Sequence, residues 1–444
     1  MEKVQNKAVY KWAAVISYIV AFIYVKYGIE NTGFISHFPY LGRLIFAVFF
    51  VVCTELFANK LGVTLEDLKK RGHSIIEPII YIICIGLQSL AYALWGVHED
   101  WDIYQFFMWH FIFVYYVLAR TGTLAAGKSG ILFLLDSFQG FVTVPFSNLF
   151  LRICAILNKG CMDDELYEDE KKGKKKSLSL RTIVTIVISL FIALIVCLYA
   201  ISELANASET FGVIGDRILW VIDDFFSFRF WDYVGENITM LIASIPVGAW
   251  LFGLVAGSLK NRKPYCTFHE FEEETKTWHQ LPAYSAYIII GSVCLIYALF
   301  LGTSISDFVN HKGLFAETAH EAAMRAIDSF WSLIRVVLMN FVVVACSCIF
   351  SKKALWEEKG TRILVTILFA FAFGFAIMAA CNLLGVYVAF FGWTPRRILS
   401  SWVVTNVIVW CILLIIRFYK KIPAAQIGII LAAVSFSVMD CFKF

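Results

Sequence analysis

The sequence predicts an all-α, polytopic integral membrane protein with about eleven transmembrane helices plus one re-entrant or interfacial helix, and three observations carry that prediction. Hydrophobic residues make up 60% and charged residues 16% of the 444, with a mean hydropathy of +0.74, far from the roughly 45–50% apolar and about 25% charged of soluble chains. Apolar runs recur along the chain at lengths that match a hydrocarbon core of about 30 Å. Lys and Arg collect on alternate connections between those runs.

The first run, 9–27, is bordered by Lys11 and Lys26 and has no small-residue cleavage site, so it reads as a span and not as a cleaved signal. The others lie at 41–59, 74–95, 104–119, 182–201, 237–257, 282–303, 329–350, 362–386, 395–416 and 422–439. The stretch 131–157 is equally long but holds Asp136, Gln139, Gly140, Pro145, Ser147, Asn148 and Arg152. It is expected to be re-entrant, since irregular backbone at membrane depth must line protein or water. The competing reading is an amphipathic helix flat on the inner leaflet, with Arg152 on lipid phosphate.

Charge supports that count. With the N-terminus cytoplasmic and 131–157 not crossing, the inner loops of the second half (158–181, 258–281, 351–362, 417–421) hold eighteen Lys and Arg. The outer loops 202–236, 304–328 and 386–398 hold six. In the first half the outer loops 28–40 and 96–103 hold none, whereas Lys60, Lys69, Lys70, Arg71, Arg120 and Lys128 fall inside. A crossing at 131–157 would reverse the second half against the positive-inside rule.

The chain divides most naturally at 158–181, where an acidic block precedes a basic one. This gives a four-helix part over 1–157, a charged cytoplasmic linker over 158–181 and a seven-helix part over 182–444. The linker reads as a solvated charge run or as a basic dock for anionic lipid at Lys171 to Lys176. The outer segment 203–236 is rich in Trp and Phe and suits the outer interface.

Net charge of +4 is too small and scattered to imply nucleic acid. The 12 cysteines include no C-x-x-C pair and lie mostly in apolar runs, where they act as small hydrophobes and imply no disulfide framework. No nucleotide-binding glycine motif, serine elbow or H-E-x-x-H occurs, so no catalytic residue, cofactor or metal site is expected. Cys266, His269 and His279 share one loop without a zinc spacing.

Ionisable residues inside spans are the default functional candidates. Glu77 sits at a capping-box spacing after Ser74, with Pro78 beside it, and Glu55 lies near a helix end, within snorkelling reach of water. His110 reads as a titratable group or as a packing histidine. Arg335 could snorkel or pair with Asp328 or Asp307, and Asn340 and Asn382 suit interhelical bonds. Pathway candidates are therefore Gly140, Pro145, Asn148, His110 and Arg335.

The most distinctive interruption is Phe391-Gly392-Trp393-Thr394-Pro395-Arg396-Arg397. Thr394 suits an N-cap and Pro395 a first helical residue, so a helix is expected from there to Arg417. Arg396 and Arg397 oppose the positive end of its dipole. With Thr394 they form the candidate site for an anion or anionic lipid.

This hairpin, with Ser400-Ser401-Trp402 after it, resembles the aromatic-Gly-x-Thr-x-x-Arg signature of two related bacterial multi-pass membrane families of unknown function, numbered forty-one fifty-three and forty-one seventy-three. Asp136 to Arg152 and Phe315 to Asn340 resemble further segments of those families. Phe391 stands where tyrosine is usual, and Phe315 to Arg325 is longer and less aromatic than the pattern. The resemblance implies a multi-pass architecture in a bacterial cytoplasmic membrane and no established activity.

Two functions remain open on the sequence. One is transport, or the handling of lipid or a small anionic substrate, without an ATPase of its own. The other is a sensor or regulatory subunit that passes an extracytoplasmic signal to a membrane or cytoplasmic protein partner. The number of spans, the re-entrant candidate and the pair Arg396 and Arg397 put the first ahead, and the scarcity of obvious buried charge supports the second.

Overall fold

The computed structural model describes residues 2–29, 40–97, 100–157, 236–264, 266–310, 319–352 and 355–442. The expected 158–181 linker, the 182–201 span and nearly all of 203–236 lie outside the described residues. The described chain is helical, and its only β feature is an isolated bridge between Leu281 and Ser351. The helices are α1 (Glu2–Ile23, continued by a π-turn Tyr24–Ile29), α2 (Leu41–Lys60), α3 (Leu65–Lys70), α4 (Ile76–Trp95), α5 (Asp102–Thr121), α6 (Phe133–Phe138), α7 (Val144–Ser147) and α8 (Leu151–Leu157). There follow α9 (Glu236–Asn261), α10 (Phe268–Lys276), α11 (Ala283–Asn310), α12 (Ala319–Phe350), α13 (Lys359–Ala380), α14 (Val388–Phe391), α15 (Pro395–Tyr419) and α16 (Ala424–Asp440).

Among the described residues eight segments are long and apolar enough to cross a membrane, and Tyr284–Phe300 and Ala424–Asp440 are shorter apolar helices. One of the eight is Phe133–Leu157, the piece expected to be re-entrant or interfacial, which is long and apolar enough to cross by length and composition. Gln139–Thr143 forms a π-turn that joins α6 to α7, and a single turn separates α7 from α8. A π-turn absorbs one extra residue without breaking the helical path. Gly140 serves close packing: a Cβ there would strike Val114 and Leu118 of α5.

The chain forms two compact units. The first comprises Met1–Asn31 and Pro145–Gly257. There α1 packs on α8, and the Arg152 guanidinium sits 3.2 Å from the centre of the Tyr18 ring while its Nη1 donates to the Ile245 carbonyl at 3.0 Å. Arg152 is fully buried, so it does not lie on a lipid phosphate as the flat-helix reading required.

The second unit comprises Thr32–Val144 and Ser258–Phe444 and is built as two bundles. In one, α4 packs against α2, α5 and α16. In the other, α13 packs against α11, α12 and α15, and α15 returns to α16. The second bundle has an apolar core in which Ala372, Ala376 and Ala379 face Val404, Val407 and Leu333, the small-residue packing by which helices approach closely in lipid. Tyr297 donates to Asn340 at 2.8 Å and Asn382 to Ser329 at 2.7 Å, the interhelical bonds expected of the two asparagines. Nine described cysteines are free thiols and Cys154 is disulfide-bonded.

Candidate functional site

The first bundle of the second unit is where buried polar groups gather, and helix geometry explains how. On α4 the residues Glu77, Tyr81, Gln88 and Tyr92 fall within an arc of about 60° at 100° per residue, spread over about 22 Å of helix. On α16, Gln426, Ser437 and Asp440 share a similar arc. The two faces meet: Gln426 Nε2 donates to Glu77 at 2.6 Å and Gln88 Nε2 to Ser437 Oγ at 3.0 Å. A polar seam therefore runs the length of the α4–α16 contact.

At one end of the seam the Glu77 carboxylate, fully buried, accepts bonds from Ser129 N at 2.9 Å and Ser129 Oγ at 2.7 Å as well as from Gln426. Tyr81 reaches the same serine at 2.7 Å. Half of the expected capping box forms, since Glu77 N donates to Ser74 Oγ at 3.4 Å. The other half does not, because Ser74 N turns to the Gly127 carbonyl and the carboxylate turns inward. Glu55 keeps 29% of its side chain exposed, as its place near a helix end implies, and is held by protein groups as well. Arg120 Nε grips both its oxygens at 2.8 and 2.9 Å, Tyr116 donates at 2.8 Å, and the other guanidinium nitrogens reach Val63 O and Asn59 Oδ1. Asp136 Oδ1 accepts from Ala125 N at 2.8 Å, and Gln139 donates to the Thr123 carbonyl at 2.9 Å.

At the other end Arg43 of α2 packs against α4 and Tyr40. Its guanidinium lies 4.1 Å from the centre of the Tyr92 ring and 5.5 Å from that of Tyr40, and the residue is 6% exposed. Gln105 of α5 donates to Asp440 Oδ1 at 2.8 Å, and Trp109 donates to Ser89 at 2.9 Å. Gly96 holds the cover in place: its φ is +78°, and a Cβ would lie 2.8 Å from the Tyr40 ring, so only glycine both turns the chain and admits that ring. Arg43 Nε and Gln88 Oε1 are buried and have no hydrogen-bond partner among the described residues. Buried polar atoms are paired in the large majority of cases, and each exception calls for an explanation; Asp136 Oδ2, Arg152 Nε and Arg362 Nε are in the same condition.

The sequence-derived candidates are dispersed. Arg397 is turned back on its own hairpin, donating to the carbonyls of Phe391 and Gly392 at 2.9 and 2.6 Å and lying over Tyr387. Arg396 pairs with Asp100 at 2.7 Å, with 75% of its side chain exposed. Thr394 has the extended backbone of an N-cap, and Pro395 opens α15 as expected, yet the threonine side chain caps no N–H. His110 is held by the Phe106 carbonyl at 2.7 Å and packed against the Phe106 and Trp109 rings. Arg335 reaches Ser332 at 3.4 Å on an exposed face. Pro145 is buried in the first unit, where a Cβ at Gly253 would meet its carbonyl and one at Gly257 would meet Asn148.

Arg43 and Asp440 escaped the sequence reading because each lies within three residues of a span's edge, where charge is ordinary. The available signal was the repeated spacing of polar residues on one face of α4 and of α16.

A family model described as "Domain of unknown function (DUF4153)" matches residues 82–442. The chain belongs to that family. No curated protein and no solved structure matches it.

Proposed function

We propose that this protein binds and moves a small anionic substrate, or an anionic lipid, at a bacterial cytoplasmic membrane, without an ATPase of its own and with its N-terminus cytoplasmic. One observation supports the reading above all: the guanidinium of Arg43 is buried against Tyr40 and Tyr92 with its Nε left over. Charge inside a bilayer costs at least about 2.5–3.5 kcal/mol per group on the most lenient scale. The sensor reading drew its support from scarce buried charge, and Glu77, Arg120, Asp136, Asp440 and Arg43 are all buried in one unit. Arg43 supplies a planar fork for a carboxylate or phosphate.

A signalling role retains one supporting feature, the exposed acidic helix α10, whose Glu270, Glu272, Glu273 and Glu274 would suit a basic cytoplasmic partner. Native mass spectrometry of the purified full chain tests the main reading. Bound anionic adducts are expected in the parent and in Arg396→Ala, and are expected to disappear in Arg43→Gln. Identical adduct spectra for all three would remove the Arg43 site from substrate handling.

A further inference from the structure

Glu77 and Asp136 are fully buried carboxyls of the second unit and lie within electrostatic reach of each other. Their surroundings are unequal. Glu77 accepts three bonds, from Ser129 N, Ser129 Oγ and Gln426 Nε2, which suits an ionised carboxylate that only accepts. Asp136 accepts one, from Ala125 N on Oδ1, and its Oδ2 is buried without a hydrogen-bond partner. Glu55 of the same unit has Arg120 on both its oxygens. Neither Glu77 nor Asp136 has such a counter-ion among the described residues.

We infer that Asp136 Oδ2 reversibly binds one proton, so that Glu77 and Asp136 together carry a single negative charge. Two carboxyls that share a buried site cannot both ionise freely, and they hold one proton between them. The unequal hydrogen bonding decides where it sits. A neutral hydroxyl at Oδ2 without an acceptor costs less than a second buried charge without a donor or counter-ion. The proton comes from water and returns to it; no other bond forms or breaks. A buried ionisable group at membrane depth is where a coupling proton would be held. The inference stands apart from the anion-handling reading, since no residue of the Arg43 end takes part.

The loop 121–130 positions both carboxyls: Ala125 N reaches Asp136, Ser129 N reaches Glu77, and Ser74 N holds the Gly127 carbonyl. Its Gly122-x-x-x-x-Gly127-Lys128-Ser129 has the spacing of a phosphate-binding loop, which corrects the absence of such a motif read from the sequence. The setting differs from that of a phosphate loop. The helix α5 runs into it where a strand is required, Lys128 is exposed, and Ser129 is already engaged by Glu77. The titratable groups that face Asp136 are Glu77 and Tyr81 of α4 and Tyr115 of α5. Both phenols are bonded, Tyr81 to Ser129 and Tyr115 to Ser137 and the Phe133 carbonyl. His73 packs against Gly122 and Gly127 of the same loop.

Infrared spectroscopy of the purified full chain in lipid reads the proton directly, because a protonated carboxyl has a C=O stretching band that shifts in heavy water and that histidines and phenols lack. At about pH 7, where an aspartate in water is ionised, the parent should show this band. It should fade reversibly as pH rises, lose the intensity of one carboxyl in Asp136→Asn and keep it in Glu77→Gln. Equal bands in the parent and Asp136→Asn would overturn the assignment. A band that persists to the alkaline limit of folding would overturn reversible binding. If Asp136→Asn does not fold, labelling with carboxyl carbon-thirteen aspartate carries the test in Asp440→Asn, which lacks the other fully buried aspartate of the unit. The titrating band should move with that label, and a band that does not move would overturn the inference.

Discussion

Arg120 and Glu55 offer a sharp test of what buried charge does for this fold. Arg120 is fully buried and places all three guanidinium nitrogens: Nε on both oxygens of Glu55, Nη1 on Val63 O at 2.8 Å and Nη2 on Asn59 Oδ1 at 3.1 Å. Arg120→Met removes these bonds and strands a carboxylate whose side chain is 29% exposed. Breaking a buried pair costs about 3–5 kcal/mol when one charge is left behind. Partial access to water relieves some of that, and about 3 kcal/mol is expected. Glu55→Gln combined with Arg120→Met strands no charge and should recover about 2 kcal/mol of the loss. Equilibrium unfolding in mixed detergent micelles, followed by far-UV circular dichroism, measures each variant. A double variant that loses the sum of the two single losses, to within about 0.5 kcal/mol, would refute the account of Arg120 as a charge held in place by its partner.

Three further outcomes follow from particular residues. A cysteine at Thr394 should react with an impermeant thiol reagent on intact cells and one at Lys174 should not; the reverse would mean that Phe133–Leu157 crosses the membrane and inverts everything beyond it. Gly140→Leu should destabilise the second unit by about 1–3 kcal/mol, the usual cost of overpacking, because the new side chain would enter the space of Val114 and Leu118; unchanged unfolding would show that α5 and the π-turn do not pack as described. Acid should loosen the loop end of this unit. Backbone and side-chain bonds from Thr267 hold the Glu270 carboxyl below its ordinary value, and burial, then Arg71, holds His73 below its own. Both depressed groups contribute stability at neutral pH. That of His73 is lost as pH falls below about 6.5, and that of Glu270 only as pH falls through its own lower value. Hydrogen exchange around Phe268 and Gly127 that rises with acid in the parent and not in His73→Gln would bear this out, and equal rises in both would refute the histidine's part.

The architecture was legible in the sequence because bilayer physics writes it in long apolar runs: every expected span that falls among the described residues is helical there. The start of α15 was legible too, since Thr394 and Pro395 are local signals of a helix N-terminus. Less legible was anything fixed by contacts distant in sequence. Glu77 reads locally as a cap, and only the approach of Ser129 and Gln426 turns it into a buried anchor. Arg397 reads locally as a free anion ligand, and only the fold of its own hairpin commits it to two carbonyls. Gly140 reads locally as an irregular position, and only the approach of Val114 and Leu118 shows what its missing side chain makes room for.

The two ends of the polar seam differ in a way that separates scaffold from site. A network kept only for its contribution to folding closes on itself, since every unmet buried donor or acceptor costs about 1–3 kcal/mol. The Glu77 carboxylate does so, taking three bonds while Ser129 and Tyr81 bond each other, although Asp136 Oδ2 at the same end remains over. The Arg43 end does not, for Arg43 Nε and Gln88 Oε1 remain over. Substitution should therefore act in opposite directions at the two ends. Glu77→Gln keeps the shape but sets an amide N–H against donors already aimed at the carboxylate, and should cost stability while leaving intact the binding of acetate, taken as a probe for the proposed anionic substrate. Gln88→Leu removes an unmet acceptor at the price of one bond to Ser437, and should leave stability within about 1 kcal/mol of the parent while weakening acetate at least tenfold. Both quantities can be read from one thermal titration, in the unliganded midpoint and in its shift with acetate. If Gln88→Leu instead lowers the unliganded midpoint as far as Glu77→Gln does and leaves the acetate shift unchanged, the Arg43 end is scaffold as well, and the substrate must be sought elsewhere in the chain.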